Sequence, residues 1–178
     1  MEELLKEFNL VVSTYRGREN DCISELWYFL RELGDPRVEA SKTGLPGLIV
    51  AKTSLNPLEV VRRLNEILEE RPWEFRLLLK IVPVERVVPA DLEEISRSAV
   101  ELAEEKIGRD ETYKIAVRKR LTSLSRSEVI ESIAPKIDRK VDLTNPDKIL
   151  VVEIIGELAG ISVVEPCEIF SSQKARRR

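Results

Sequence analysis

Over residues 8–84 apolar side chains recur first at every second position, then at every third and fourth, in a succession that leaves few folds open. Phe8 to Thr14 alternates apolar and polar in a β-rich run and reads as a strand. Asp21 to Leu33 places Cys22, Ile23, Leu26, Trp27, Leu30 and Leu33 at helical spacing, and Gly34 and Pro36 stop the helix. Runs at Arg37 to Ser41 and Leu48 to Lys52 flank the turn Gly44-Leu45-Pro46-Gly47, as in a hairpin. Asn56 caps a second helix that has Pro57 at its first position, Glu59 reaching back, and Val60, Val61, Leu64, Ile67 and Leu68 as its buried stripe. Arg76 to Val84 completes the set as a strand. The order β-α-β-β-α-β predicts a ferredoxin-like domain at residues 1–85, with two helices on one face of a four-stranded antiparallel sheet. That architecture hosts many unrelated activities, so it carries no function by itself.

Residues 86–178 follow another pattern. Asp91 with Glu94 opens a helix through Leu92, Ile95, Ala99, Leu102, Ala103 and Ile107, ended by Gly108. Thr112 to Leu121 sets Tyr113, Ile115 and Val117 on one side and Lys114, Ala116 and Arg118 on the other, a strand with a basic face. Ser125 with Glu128 caps a further helix bearing Val129, Ile130, Ile133 and Ile137, which Pro135 must kink or shorten. Lys148 to Ile155 and Leu158 to Val164 read as strands joined at Gly156-Glu157. An α/β domain at residues 86–170 is expected, joined to the first through Arg86 to Ala90. A basic tail, residues 171–178, ends in Lys174-Ala175-Arg176-Arg177-Arg178. The overall class is therefore α+β.

The chain holds no histidine. Ser-His-Asp and Cys-His nucleophile systems, histidine zinc sites and histidine acid/base chemistry are excluded at once. Cys22 and Cys167 are too few for a disulfide framework or a four-cysteine metal site, and both are expected as buried thiols. None of the seven glycines has the spacing of a phosphate-cradling or dinucleotide loop. Carboxylates such as Glu66, Glu69, Glu70, Glu101, Glu104 and Glu105 fall on polar helix sides. Trp27 and Trp73, flanked by Phe29 and Phe75, offer stacking surfaces in principle, with core packing the stronger expectation. No apolar run is long enough for a membrane span, and Met1-Glu2-Glu3 is acidic where a signal peptide is basic, so a cytoplasmic protein is expected.

Charge is distributed unevenly. Residues 1–108 carry 15 basic and 21 acidic side chains, and residues 109–178 carry 14 and 11, balances of -6 and +3. A polyanion is drawn to the second part. Cations on one strand face and at the helix start near Arg126 suit phosphate groups, though an ordinary solvated face has the same composition.

The run Tyr113-Lys114-Ile115-Ala116-Val117-Arg118-Lys119-Arg120, the helix start at Ser125-Arg126-Ser127-Glu128, and Val141-Asp142-Leu143-Thr144-Asn145-Pro146-Asp147 leading into Ile149 to Ile154 resemble the THUMP domain. The resemblance covers residues 86–170. It implies a tRNA-binding module of the kind found in thiouridine synthases, tRNA methyltransferases, pseudouridine synthases and deaminases, placed after a ferredoxin-like domain. With no catalytic domain after Arg178, the arrangement is similar to stand-alone THUMP proteins that assist a separate acetyltransferase in forming N4-acetylcytidine in tRNA. Carried onto this sequence, it implies RNA contacts from Lys114, Arg118, Lys119, Arg120 and Arg126, with Lys136, Lys140 and Asn145 as further candidates. Pro146 and Asp147 are expected to shape a turn, and Glu153 to sit on a strand face without a catalytic role. The expected partners are tRNA and a modifying enzyme, with no cofactor, metal, membrane or DNA. A subunit of a methylation or thiolation system, and an unrecognised RNA-modifying enzyme, remain the alternatives.

Overall fold

The computed structural model describes residues 6–173. In chain order the elements are β1 (Leu10–Ser13), α1 (Glu19–Leu33), β2 (Glu39–Lys42), β3 (Leu48–Lys52), α2 (Pro57–Glu70), β4 (Lys80–Pro83), β5 (Arg86–Pro89) and α3 (Leu92–Lys106). They continue with β6 (Thr112–Arg120), α4 (Arg126–Ile133), β7 (Lys140–Val141), β8 (Lys148–Ile155), β9 (Leu158–Val164) and β10 (Phe170–Ser171). The chain divides into two units. One runs to Val84 and resumes at Cys167, and the other spans Glu85–Pro166.

The first unit is a mixed α/β structure around one sheet of order β10-β4-β1-β3-β2, in which every pairing is antiparallel. Local signals place its helices. Gly34 adopts a left-handed φ of 107° and ends α1, with its N–H on the Arg31 carbonyl. The Asn56 side chain accepts from Leu58 N and Glu59 N, and Pro57 begins α2. Leu26, Phe29, Leu30, Val61 and Leu64 pack on Leu10, Val12, Ile49 and Ile81 to form the core.

Four expectations differ here. The last strand, expected from Arg76, begins at Lys80, because Arg76 N, Leu77 N and Leu78 N all donate to the Glu25 carboxylate at 2.7–3.0 Å and leave the ladder. A fifth strand, β10, returns from far along the chain. Phe170 pairs with Ile81 and packs its ring 5.0 Å from that of Phe75, while Asn65 Nδ2 donates to Cys167 O and Ile169 O and Arg62 pairs with Glu168. Finally, Trp27 and Trp73 are not core residues: they are 50% and 69% exposed, and Phe29 stacked on Phe75 at 4.1 Å fills the interior instead. Cys22 is buried as expected, but Cys167 is exposed.

The second unit has a sheet of order β5-β9-β8-β6-β7, with β6 parallel to both β7 and β8 and the other pairs antiparallel. Of Arg86 to Ala90, expected as the joint, Arg86–Pro89 forms its edge strand β5, in register with Leu158–Ile161. Helices α3 and α4 cover one face, burying Ile95, Ala99, Leu102, Val129 and Ile133 on Tyr113, Val117, Leu150, Val152 and Ile161. The Asp91 carboxylate caps α3 on Glu94 N, and Ser125 with Glu128 forms a reciprocal box at α4. α4 stops at Ile133 and Ala134–Lys136 tightens into a 3-10 turn, since Pro135 has no N–H to continue it. No helix among the described residues is long and apolar enough to cross a membrane.

Candidate nucleic-acid interface

Strand geometry sorts the basic run of β6 into two faces. Tyr113 and Val117 point into the helix-covered core, with burial raising the Tyr113 phenol above its ordinary pKa. By the same alternation Lys114, Ala116, Arg118 and Arg120 share the opposite face. Lys119 has the parity of the core side, yet it stands exposed beside Arg118 at the end of the strand. The chain then turns at Leu121, the one non-glycine residue with positive φ (55°) among those described, and reaches the Ser125 cap. Arg126 is exposed in the first turn of α4. A connection of five residues therefore brings Arg118, Lys119 and Arg126 to the carboxyl end of β6.

Two of the expected cations are committed elsewhere. Arg120 Nη1 donates to Glu153 Oε2 at 2.6 Å, and the Glu153 side chain is only 2% exposed. Lys136 Nζ donates to Ser96 Oγ at 3.0 Å, and Ser96 Oγ in turn donates to Ser132 O at 2.7 Å, a bridge between α3 and the end of α4. Arg120 is thus a counter-ion for a buried carboxylate, and Lys136 is a tie between helices.

The remaining candidates lie at the other end of β6. Lys140 in β7 pairs with Thr112, and Lys114 is two residues along. From Lys114 to Lys119 the strand advances ~16 Å, so the two groups form separate clusters. Asn145 is exposed in the connection to β8. Around it, the Asp142 carboxylate accepts from Thr144 N and Asn145 N at 3.0 and 2.9 Å, which holds its pKa below the ordinary value, Asn145 N being the larger cause. Asp147 Oδ2 accepts from Thr112 N, Asp147 N donates back to Thr112, and Pro146 is buried. The run Val141 to Asp147 therefore locks the start of β8 to the start of β6, and presents Leu143 and Val141 to solvent. Arg109, exposed in the loop before β6, belongs to this end, and sequence reasoning missed it because a lone arginine in an Arg-Asp-Glu loop carries no local signal.

Cations thus stand near both ends of β6, with Lys114 and Lys140 at its start and Arg118, Lys119 and Arg126 at its end. Among the described residues no group of three or more cysteines and carboxylates is placed to hold a metal ion. The Lys174 to Arg178 part of the tail lies outside the described residues.

Residues 89–164 match the model of the THUMP domain. The chain is 28% identical over 173 residues to THUMP domain-containing protein 1 of Mus musculus, covering 86% of this chain and 49% of that one. It spans about half the length of the curated relatives it matches. The structure of TrmN from Thermus thermophilus resembles 88% of this chain with a TM-score of 0.62 at 19% identity, over 45% of its own length. A 4-thiouridine synthetase in complex with RNA and ATP covers 89% of this chain and 42% of its own, with a TM-score of 0.50 and 19% identity. At these identities the likeness is one of fold.

Proposed function

We propose, from the THUMP domain that residues 89–164 carry, that this protein binds tRNA and presents it to a separate modification enzyme, the acetyltransferase that forms N4-acetylcytidine. The carrying observation is the exposed trio Arg118, Lys119 and Arg126 at the carboxyl end of β6, inside the matched domain and engaged with no carboxylate among the described residues. Phosphate oxygens are their natural partners, since guanidinium forks and ammonium groups on a fixed strand and helix start can each meet a backbone anion. Such contacts read the shape of an A-form acceptor or arm and leave base identity to the partner.

The first unit, with its β-α-β-β-α-β succession, serves in this reading as a ferredoxin-like domain with RNA contacts of its own. A chain without histidine lacks the commonest acid/base group, which fits an adaptor whose contribution is local concentration and orientation of the target base at another active site. The likeness to THUMP domain-containing protein 1 supports the RNA-binding part of this reading. The name of the 4-thiouridine synthetase favours a second reading, service to thiolation, with methylation the other modification of that kind.

The test has two parts. Alanine at Arg118, Lys119 or Arg126 weakens tRNA binding uniformly across tRNA species, and each phosphate left without its cation makes the slope of log K against log salt shallower by ~0.7 to 0.9. Nucleoside analysis of tRNA from a deletion strain lacks N4-acetylcytidine. Loss of a thiolated or methylated nucleoside instead moves the assignment to the second reading, and acetylation of tRNA by the pure protein with acetyl-CoA overturns the adaptor role.

A further inference from the structure

Trp27 sits on the outer side of α1 with half of its surface in solvent, although its spacing matches the helix's apolar stripe. It does not stand alone. Trp27, Asn20 and Ser24 of α1 face Ser41 and Lys42 of β2 across a cavity of about 320 Å³. β2 is the edge strand of its sheet, so this side of the unit carries no further strand among the described residues.

Lys42 also lines a second cavity, of about 650 Å³, between the loop after β1 and the β2–β3 turn. Arg16 and the Gly44 backbone stand on its wall. One carboxylate, that of Glu19, lies there too, but it accepts from Gly47 N at 2.9 Å and Gly17 N at 3.3 Å. Its charge is spent on holding the two loops together, with Lys42 lining the same cavity. The wall presents two cations against one carboxylate already bonded to backbone amides.

We propose that these adjoining cavities form a second RNA site, in which an unpaired base stacks on Trp27 while its phosphates lie against Lys42 and Arg16. The inference rests on the tRNA-binding reading and extends it to the first unit. An exposed indole gives a sequence-tolerant platform, and Asn20 and Ser24 beside it offer polar atoms to a base edge. Only a single-stranded nucleotide can use it, because pairing and stacking in a duplex hide both faces of the base. The shared Lys42 sets the spacing: it lines both the aromatic cavity and the cationic one, as a sugar-phosphate joins a base to the next phosphate. The specificity is for unpaired RNA, such as a tRNA loop or its single-stranded end.

Two tryptophans in the chain make the test direct. In a Trp73→Phe variant of the full chain, Trp27 is the sole indole, and hexauridylate is titrated against its fluorescence. The site predicts saturable quenching. Adding Arg16→Ala and Lys42→Ala together lowers the hexauridylate affinity at least about threefold and makes its salt slope shallower by ~0.7 for each phosphate that no longer meets a cation. Arg118→Ala, Lys119→Ala and Arg126→Ala combined leave this quenching in place, whatever they do to whole tRNA, so failure of the β6 surface and failure of this site are read separately. Absence of quenching, or quenching that Arg16→Ala with Lys42→Ala does not weaken, overturns the proposal.

Discussion

Arg120 holds the carboxylate of Glu153 at 2.6 Å, although the register of β6 on β8 sets Arg118 opposite Glu153. The diagonal choice decides what each arginine is for. The carboxylate, 2% exposed, is neutralised by the more sheltered Arg120, and Arg118 stays exposed at the surface.

Arg120→Ala leaves a buried carboxylate without its partner and is expected to destabilise the second unit by on the order of 3 kcal/mol. Arg118→Ala stays within about 0.5 kcal/mol of the parent protein. Urea unfolding of the two variants checks this, and equal stabilities would contradict the division of roles. Loss of tRNA binding by Arg120→Ala is therefore to be read only beside its unfolding curve.

Acid weakens the second unit in a defined window. Gly108 N and then Lys148 hold the Glu111 pKa below 4.5, and Asn145 N and Thr144 N hold that of Asp142 below 3.8. Lowered folded-state values mean that the unfolded chain binds more protons in this range, so stability is full above about pH 4.5 and is lost as pH falls through the folded pKa values. In a variant with Glu111→Gln and Asp142→Asn, thermal midpoints lie below the parent's at neutral pH and converge on them in acid. A constant gap down to pH ~2 would speak against the linkage.

The two thiols differ in reactivity. Burial pushes the Cys22 thiol up to about 12 and leaves it no exposed surface, while Cys167 is exposed. Iodoacetamide on the native protein is expected to label Cys167 alone, with Cys22 reacting only on unfolding. Peptide mass mapping reads the outcome, and native labelling at Cys22 would show that the first core opens readily.

Gly47 is fixed for two reasons, Gly156 for one. Gly47 has φ +72°, and a Cβ there would stand 2.6 Å from Thr14 O; Gly156 has φ +61° with nothing within 4 Å. Gly47→Ala is expected to lose ~2 to 3 kcal/mol, against ~1 kcal/mol for Gly156→Ala, where left-handed strain acts alone. Denaturation midpoints falling by the same amount would remove the steric half of this account.

Much of the architecture could be read locally. Asn56-Pro57, Ser125 with Glu128, Gly34 and Pro135 each act on backbone groups within four residues, so the sequence around them suffices to start or stop a helix. The basic face of β6 was legible for a similar reason, since strand alternation needs only the order of residues. Helical spacing failed at Trp27, because a stripe of apolar residues is wider than the core it meets, and the sequence does not say which margin faces out.

Sequence by itself thus determined the kind and order of nearly all the elements, the missing histidine, and the place where positive charge gathers. Tertiary structure alone decided that Phe170 returns to pair with Ile81, that Arg86–Pro89 becomes an edge strand, and that Arg120 rather than Arg118 takes Glu153. The physical reason is range. Caps, turns and alternation are set by neighbours along the chain, whereas strand partners and buried ion pairs depend on which distant surfaces exclude water together, and no local window contains both halves of that choice.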